Sequence, residues 1–189
     1  MSGNGAVVSF VDIGELVLAH MKPNMEVVWF NLVDHMYWSV EHVNGIRFGG
    51  EVEDGAYAWL RGGPTNYAAI FDSGTSASLI PTELFQPFIT RLFKHSAQSV
   101  YHHESNGFHE TNCDPSLFPT ISLLIESHWV EMSPQDYLLK SPNAYYSDRC
   151  YLGFHESPVD FFVLGDTLMR GYYVIHSDPE SLLGIIPHA

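Results

Sequence analysis

The sequence predicts an all-β single domain with a few short helices. Three observations carry that prediction. Short apolar runs recur between clusters of Gly, Pro, Asn and Asp, the pattern of strands joined by turns. Aromatic residues make up 14% of the chain, with 15 Gly and 11 Pro, which suits strands and turns better than helices. A length of 189 residues suffices for one sizeable core and is short for two, so residues 1–189 are read as one domain.

Taken in order, Val7-Val8-Ser9-Phe10-Val11 is the first expected strand, entered through Gly3-Asn4-Gly5. Met25 to Leu32 is the second, and Tyr37 to Val43 alternates well enough for a third. Asn44-Gly45 offers hairpin-turn chemistry before Ile46-Arg47-Phe48. Tyr57 to Leu60 and a Gly62-Gly63-Pro64 break then lead to Ala68-Ala69-Ile70-Phe71-Asp72-Ser73-Gly74-Thr75-Ser76, on which the chain centres. After Pro81 comes the clearest helix. Thr82 is its expected N-cap, and Leu84, Phe85, Phe88, Ile89, Leu92 and Phe93 fall on one face. Pro87 is expected to start or kink a turn there. Residues 95–116 read as a polar loop. Phe118 to Ile125 and His128 to Met132 form a hairpin, followed by a short helical turn at Ser133 to Leu138. Phe161 to Asp166, Gly171 to Ile175 and Leu183 to Pro187 complete about ten strands.

The central stretch is a buried strand running into an acid, two hydroxyls and a glycine. An aspartate there is costly unless its carboxylate is hydrogen-bonded or has a task. Ser73 and Thr75 supply hydroxyls, and Gly74 admits close backbone approach. Taken alone, D-S-G reads as a strand followed by a polar turn. Phe161-Phe162-Val163-Leu164-Gly165-Asp166 repeats the chemistry, with Asp166 read as the structural cap of a short helix.

Eight Lys+Arg against 22 Asp+Glu give −14, which speaks against nucleic acid and anionic membranes as partners. Protonating all 11 histidines would bring −14 to −3, so work in an acidic compartment fits. No apolar run approaches a membrane span, and Met1 to Gly5 lacks the regions of a signal peptide. Either the chain is not secreted or its natural start lies upstream. Cys113 and Cys150 admit two readings, a pair of buried thiols or one disulfide. His95, His102, His103, His109 and Cys113 are of metal-ligating type, but their spacing fits no compact finger. No metal and no cofactor are expected.

The ordered set A-I-F-D-S-G-T-S-x-S-L-I-P (Ala69 to Pro81), F-V-L-G-D (Phe162 to Asp166), G-Y-Y-V-I (from Gly171) and L-G-I-I-P (from Leu183) resembles the C-terminal lobe of pepsin-like aspartic proteases. V-W-F-N-L-V (Val28 to Val33), Y-W-S-V (Tyr37 to Val40) and V-N-G-I (Val43 to Ile46) look like the strands that precede that lobe's Asp. The likeness runs from about Val7 to the end, and implies one lobe of a bilobal all-β fold. It implies an aspartic endopeptidase in which two aspartates, one per lobe, share a proton and hold a water. One carboxylate acts as base on the water while the other protonates the scissile carbonyl.

By the resemblance, Asp72 is this lobe's catalytic carboxylate and Ser73 ties the two active-site loops together. Gly74 and Thr75 match positions that support the carboxylate or bond the substrate backbone. Val163-Leu164-Gly165 matches the segment threaded through the Asp loop. Cys113 and Cys150 fall where this lobe carries a disulfide, which implies a secretory-pathway origin and a lysosome-like, vacuole-like or extracellular destination.

The chain has one D-[ST]-G; Asp12-Ile13-Gly14 is similar but lacks the hydroxyl. Asp72 alone cannot do two-carboxylate chemistry. Three arrangements follow: half of an endopeptidase paired with an N-terminal lobe, a lone lobe serving as a structural or binding subunit, or two copies each giving one Asp72. Each expects a protein partner over the missing-lobe face, near Val27, Trp29, Tyr172 or Val174, and the catalytic ones a peptide or protein substrate.

Overall fold

The structure, a computed structural model, describes residues 11–33, 36–49, 67–97, 101–103, 108–140 and 149–189. The expected strands at Val7 to Phe10 and Tyr57 to Leu60, with the Gly62-Gly63-Pro64 break, lie outside the described residues.

Strands dominate. In chain order they are β1 (Val28–Asn31), β2 (Ser39–Phe48), β3 (Tyr67–Phe71), β4 (Ser78–Pro81), helix α1 (Thr82–Lys94), β5 (Tyr101–His103), β6 (Phe108–Asn112), β7 (Ile121–Ile125), β8 (His128–Met132), helix α2 (Pro134–Tyr137), β9 (Leu138–Lys140), β10 (Arg149–Leu152), β11 (Phe154–Ser157), β12 (Phe162–Leu164), helix α3 (Asp166–Met169), β13 (Tyr172–Ser177) and β14 (Leu182–Pro187). They form a seven-stranded sheet, β11-β4-β12-β3-β2-β7-β8, a four-stranded sheet, β5-β6-β10-β9, and a terminal three-stranded sheet, β1-β14-β13. The fold is all-β with short helices.

The large sheet holds the core. Tyr67, Ala69 and Phe71 of β3 are buried while Ala68 and Ile70 between them are only half-buried, the alternation of a strand with one face inward. Val40, Ile46 and Phe48 of β2, Ile121, Leu123 and Ile125 of β7, and Val130 and Met132 of β8 line the same core. Helix α1 adds Leu84, Phe85, Phe88, Ile89 and Leu92, with the Phe88 ring 5.3 Å from Phe48 and 4.9 Å from Phe154. The helix continues without a break through Pro87, which faces solvent. Five buried side chains at about 1.5–3 kcal/mol each outweigh one lost backbone bond and a ring clash of roughly 3 kcal/mol.

Four local expectations are corrected. Asn44-Gly45 is no hairpin turn: β2 continues through it, irregular in register between Val40 and Val43 and again between Val43 and Gly45. The type I′ turn that Asn-Gly favours needs positive φ at both central residues; here the left-handed residue is His42, at φ 64°. Asn44 instead donates to the Glu126 carbonyl at 3.1 Å, which lets Ile46 and Phe48 pair with Leu123 and Ile121. Thr82 does not cap α1: Pro81 occupies that position and the Thr82 hydroxyl donates to the Ser157 carbonyl at 2.7 Å. Likewise Gly165 precedes α3, and Asp166 is its first residue. The polar loop at 95–116 contains the β5–β6 hairpin, whose strands carry His, Glu and Asn in place of apolar alternation.

Candidate active site

The central stretch ends β3, and what positions it is a threaded topology. β3 and β4 are not neighbours; β12 lies between them, parallel to β3 and antiparallel to β4. Ala69, Ile70 and Phe71 pair with Phe162, Val163 and Leu164, and Val163 pairs with Leu79. Residues 72–77 therefore arch over the end of β12. The Asp72 N–H donates to the Leu164 carbonyl at 3.0 Å, and the Asp166 N–H donates to the Thr75 carbonyl at 2.9 Å. Between them sits Gly165, whose lack of a side chain is required: a Cβ there would come within 2.1 Å of the Thr75 oxygen.

The far end of β3 is pinned too. The buried Tyr67 hydroxyl donates to Glu83 Oε1 of α1. Burial, reinforced by Glu83, pushes this phenol above its ordinary range. The residue leading into β2 supports the other side: the Trp38 carbonyl accepts from the Phe71 N–H at 2.9 Å.

On this frame the Asp72 carboxylate is half-buried and held by its own loop. Oδ1 accepts from the Gly74 N–H at 2.9 Å, and Oδ2 accepts from the Thr75 hydroxyl at 2.5 Å. The two donors fix how the carboxylate is turned. Ser73 and Gly74 are exposed, Thr75 half-buried and Gly165 buried, so the five residues Asp72, Ser73, Gly74, Thr75 and Gly165 converge at one end of the sheet. The arrangement presents one oriented carboxylate flanked by hydroxyls and backbone at the surface. It can accept a proton from, or give one to, a group approaching from outside.

Two supporting residues escaped the sequence reading. The buried Ser78 and Thr167 hydroxyls lie 2.7 Å apart and join β4 to α3 beneath the arch. Their signal was present, hydroxyl residues shortly after each acidic motif, but such residues also fill ordinary turns.

The two cysteines are bonded: Cys113–Cys150 is a disulfide with Cα atoms 5.0 Å apart. It ties the end of β6 to β10, away from the carboxylate loop. Cys113 is thereby removed from the metal-ligating set. The His109 ring packs against Phe85 and Phe93 with centroids 5.9 Å away in both cases, and His95 stacks on Phe48. Among the described residues no group of three His, Cys, Asp or Glu side chains is arranged to hold a metal ion. Nor is any described helix long and apolar enough to cross a membrane.

Around the terminal sheet, Trp29 is 39% exposed and Val27, Tyr172 and Val174 are half-buried. The Trp29 ring lies over Gly184, its cross-strand partner, where a Cβ would meet it at 2.7 Å.

Comparison with known proteins agrees with this architecture. Rat (Rattus norvegicus) gastricsin is 23% identical over 182 residues, covering 91% of this chain and 42% of the relative. Dog (Canis lupus familiaris) pepsin B is 25% identical over 180 residues, covering 90% and 41%. The vacuolar aspartic protease of Candida albicans is 23% identical over 163 residues, covering 86% and 35%. The chain thus spans less than half the length of these relatives. The profile of the family described as eukaryotic aspartyl protease matches residues 9–186, nearly the whole chain, and the chain belongs to that family.

Proposed function

We propose that this chain is the C-terminal lobe of a pepsin-like aspartic endopeptidase, with residues 1–189 forming one domain and Asp72 as its catalytic carboxylate. The reading rests on one observation above others: a half-buried carboxylate with both oxygens held by its own loop, at the mouth of a threaded sheet. In the reaction Asp72 shares a proton with a second carboxylate from a partner lobe. One acid takes a proton from a bound water, which attacks the peptide carbonyl, and the other protonates the carbonyl oxygen. Ser73, exposed beside Asp72, is the side chain that ties this loop to the partner's. Gly74 and Thr75 hold the carboxylate, and Gly165 keeps the arch closed.

The partner is an N-terminal lobe carrying its own D-[ST]-G, and the substrate an extended peptide or protein. The disulfide and the vacuolar relative support a secretory-pathway or vacuolar compartment. The test is peptide cleavage in acid by this chain combined with a separately expressed N-terminal lobe. Cleavage is expected with Asp72 and not with Asp72→Asn; cleavage that survives the substitution removes the reading.

A second reading, a non-catalytic lobe acting as a structural or binding subunit, draws on the single D-[ST]-G in a chain spanning 42% of rat gastricsin. It is favoured if the chain forms a stable complex with a protein lacking that motif. A symmetric pair of this chain, each copy giving one Asp72, would show as cleavage by the isolated chain that depends on its concentration.

A further inference from the structure

Asp12-Ile13-Gly14 takes no part in the site, yet Asp12 has a built environment. Residues 11–21 form a strap along the terminal sheet, touching Tyr173 of β13, and Met21 at its end joins a small cluster with Ile175 and Ile186, with Val27 and Tyr173 packed alongside. Val11, Ile13, Leu16 and Leu18 on this strap are 87, 93, 47 and 77% exposed, so its apolar side chains contribute little to holding it. Polar contacts do the holding. Asp12 Oδ2 accepts from the Tyr173 hydroxyl of β13 at 2.9 Å and lies 2.8 Å from His20 Nδ1. The Val17 N–H reaches the same Tyr173 hydroxyl at 3.5 Å. The C-terminal end of the strap is secured separately. Met21 bridges His188, the Lys22 N–H donates to the Pro187 carbonyl, and the Ala189 N–H donates to the His20 carbonyl.

We propose that Asp12, His20 and Tyr173 form an acid-released clasp that fixes residues 12–17 against β13 and lets them go when Asp12 is protonated. One carboxylate oxygen serves both partners. A protonated imidazole donates from Nδ1 and the phenol donates its O–H, so a proton added to that oxygen displaces one of them, and protonation of either oxygen abolishes the charge that pairs with His20. Among the described residues the other ionisable groups near the strap are His188 just past β14, and Glu15 on the strap and Lys22 just after it, both exposed; β1 brings no ionisable side chain. The bond from His20, with that from Tyr173, holds the Asp12 carboxyl below its ordinary value of 3.8 against the opposing cost of desolvation. A lowered carboxyl contributes stability that is complete above the ordinary value and lost as pH falls through the lowered one. The strap therefore stays fastened through mild acidity and opens in strong acid, repositioning the exposed Val11, Ile13, Leu16 and Leu18. The inference does not depend on the role of Asp72.

The test is amide hydrogen exchange on the intact chain at about pH 6, 4.5 and 3, corrected for intrinsic rates, comparing a peptide covering residues 12–20 with one covering 182–187 of β14. Wild type is expected to lose strap protection about tenfold between the two lower values while β14 stays protected. Asp12→Asn is expected to show a loose strap at every pH, and Tyr173→Phe a partly loosened one. Strap protection that is independent of pH, an Asp12→Asn profile matching wild type, or loss of strap and β14 protection in one step would each overturn the proposal.

Discussion

A Cβ placed on Gly165 would lie 2.1 Å from the carbonyl oxygen of Thr75 and 2.3 Å from that of Ala77. Both oxygens belong to the loop that begins at Asp72, so the threaded segment and the carboxylate loop touch through their backbones. With the Asp166 N–H on Thr75 and the Asp72 N–H on Leu164, the main chain fixes where Asp72 stands. Side chains then adjust only how its carboxylate is turned.

Gly165→Ala is accordingly expected to destabilise the chain by about 3 kcal/mol or more, because backbone oxygens cannot swing aside. Gly74→Ala is the contrast: its Cβ would lie 3.1 Å from Asp72 Oδ1, a side-chain atom, at an exposed position. That variant should stay within about 1 kcal/mol of wild type. Urea unfolding of the two measures the difference, and equal tolerance would show that the threading does not fix the loop.

Thr75→Val removes the hydroxyl that donates to Asp72 Oδ2 at 2.5 Å. In this part-exposed setting the expected loss of stability is about 1 kcal/mol. Under the proposed function the same change lowers kcat about tenfold or more with little change in KM, since it frees a carboxylate without touching the substrate's side-chain contacts. Thr75→Ser restores both, and a Ser variant no better than Val would show that the methyl matters and the hydroxyl does not.

What was legible in the sequence follows from which physical rule each segment obeys. The apolar runs around Phe71 and Leu164 declared themselves as strands, and the stripe from Leu84 to Leu92 as a helix, because burial writes a period into the chain. Pairing of Asp72, Thr75 and Gly165 came from resemblance to a family; no spacing in one sequence brings residues 75 and 165 together. Asn44-Gly45 misled because turn chemistry is permissive, and the irregularity at His42 and Asn44 meets Glu126, far along the chain, whose N–H donates to the His42 carbonyl and whose carbonyl accepts from Asn44. The β5–β6 hairpin was illegible for a different reason: its buried His109, Glu110 and Thr111 have no apolar signal, and Glu110 is satisfied by Arg149 only after folding.

Replacing Cys113 and Cys150 together by Ser should cost about 3–4 kcal/mol, the loop-closure value for cysteines separated by 37 residues. Calorimetry or urea unfolding of the double variant, beside wild type with and without reductant, checks it. The loss should fall on the β6–β10 pairing, where Cys150 faces Thr111 across the ladder, and leave the β3–β12 pairing beneath Asp72 intact. Hydrogen exchange that loosens both sheets equally would mean that the bridge supports the whole domain and not one edge.

His155 sets the last expectation, and it runs against a simple picture of an acid-adapted fold. It lies on β11, the edge strand of the large sheet, paired with Leu79 of β4. Burial lowers its pKa below the ordinary 6.5, because the charged imidazolium is poorly solvated there. A histidine lowered by folding contributes stability that is complete above the ordinary value and erodes as pH falls through it toward the lowered one. The fold should therefore weaken from about pH 7 toward pH 5, by less than about 1 kcal/mol since the ring is only half-buried. The erosion should appear first as faster exchange along β11. His155→Gln, neutral throughout, should flatten that part of the stability–pH curve in urea unfolding. If the variant keeps the wild-type slope, another group drives the loss; if stability rises toward pH 5, the imidazolium gains a partner in the fold and the sign assigned to burial is wrong.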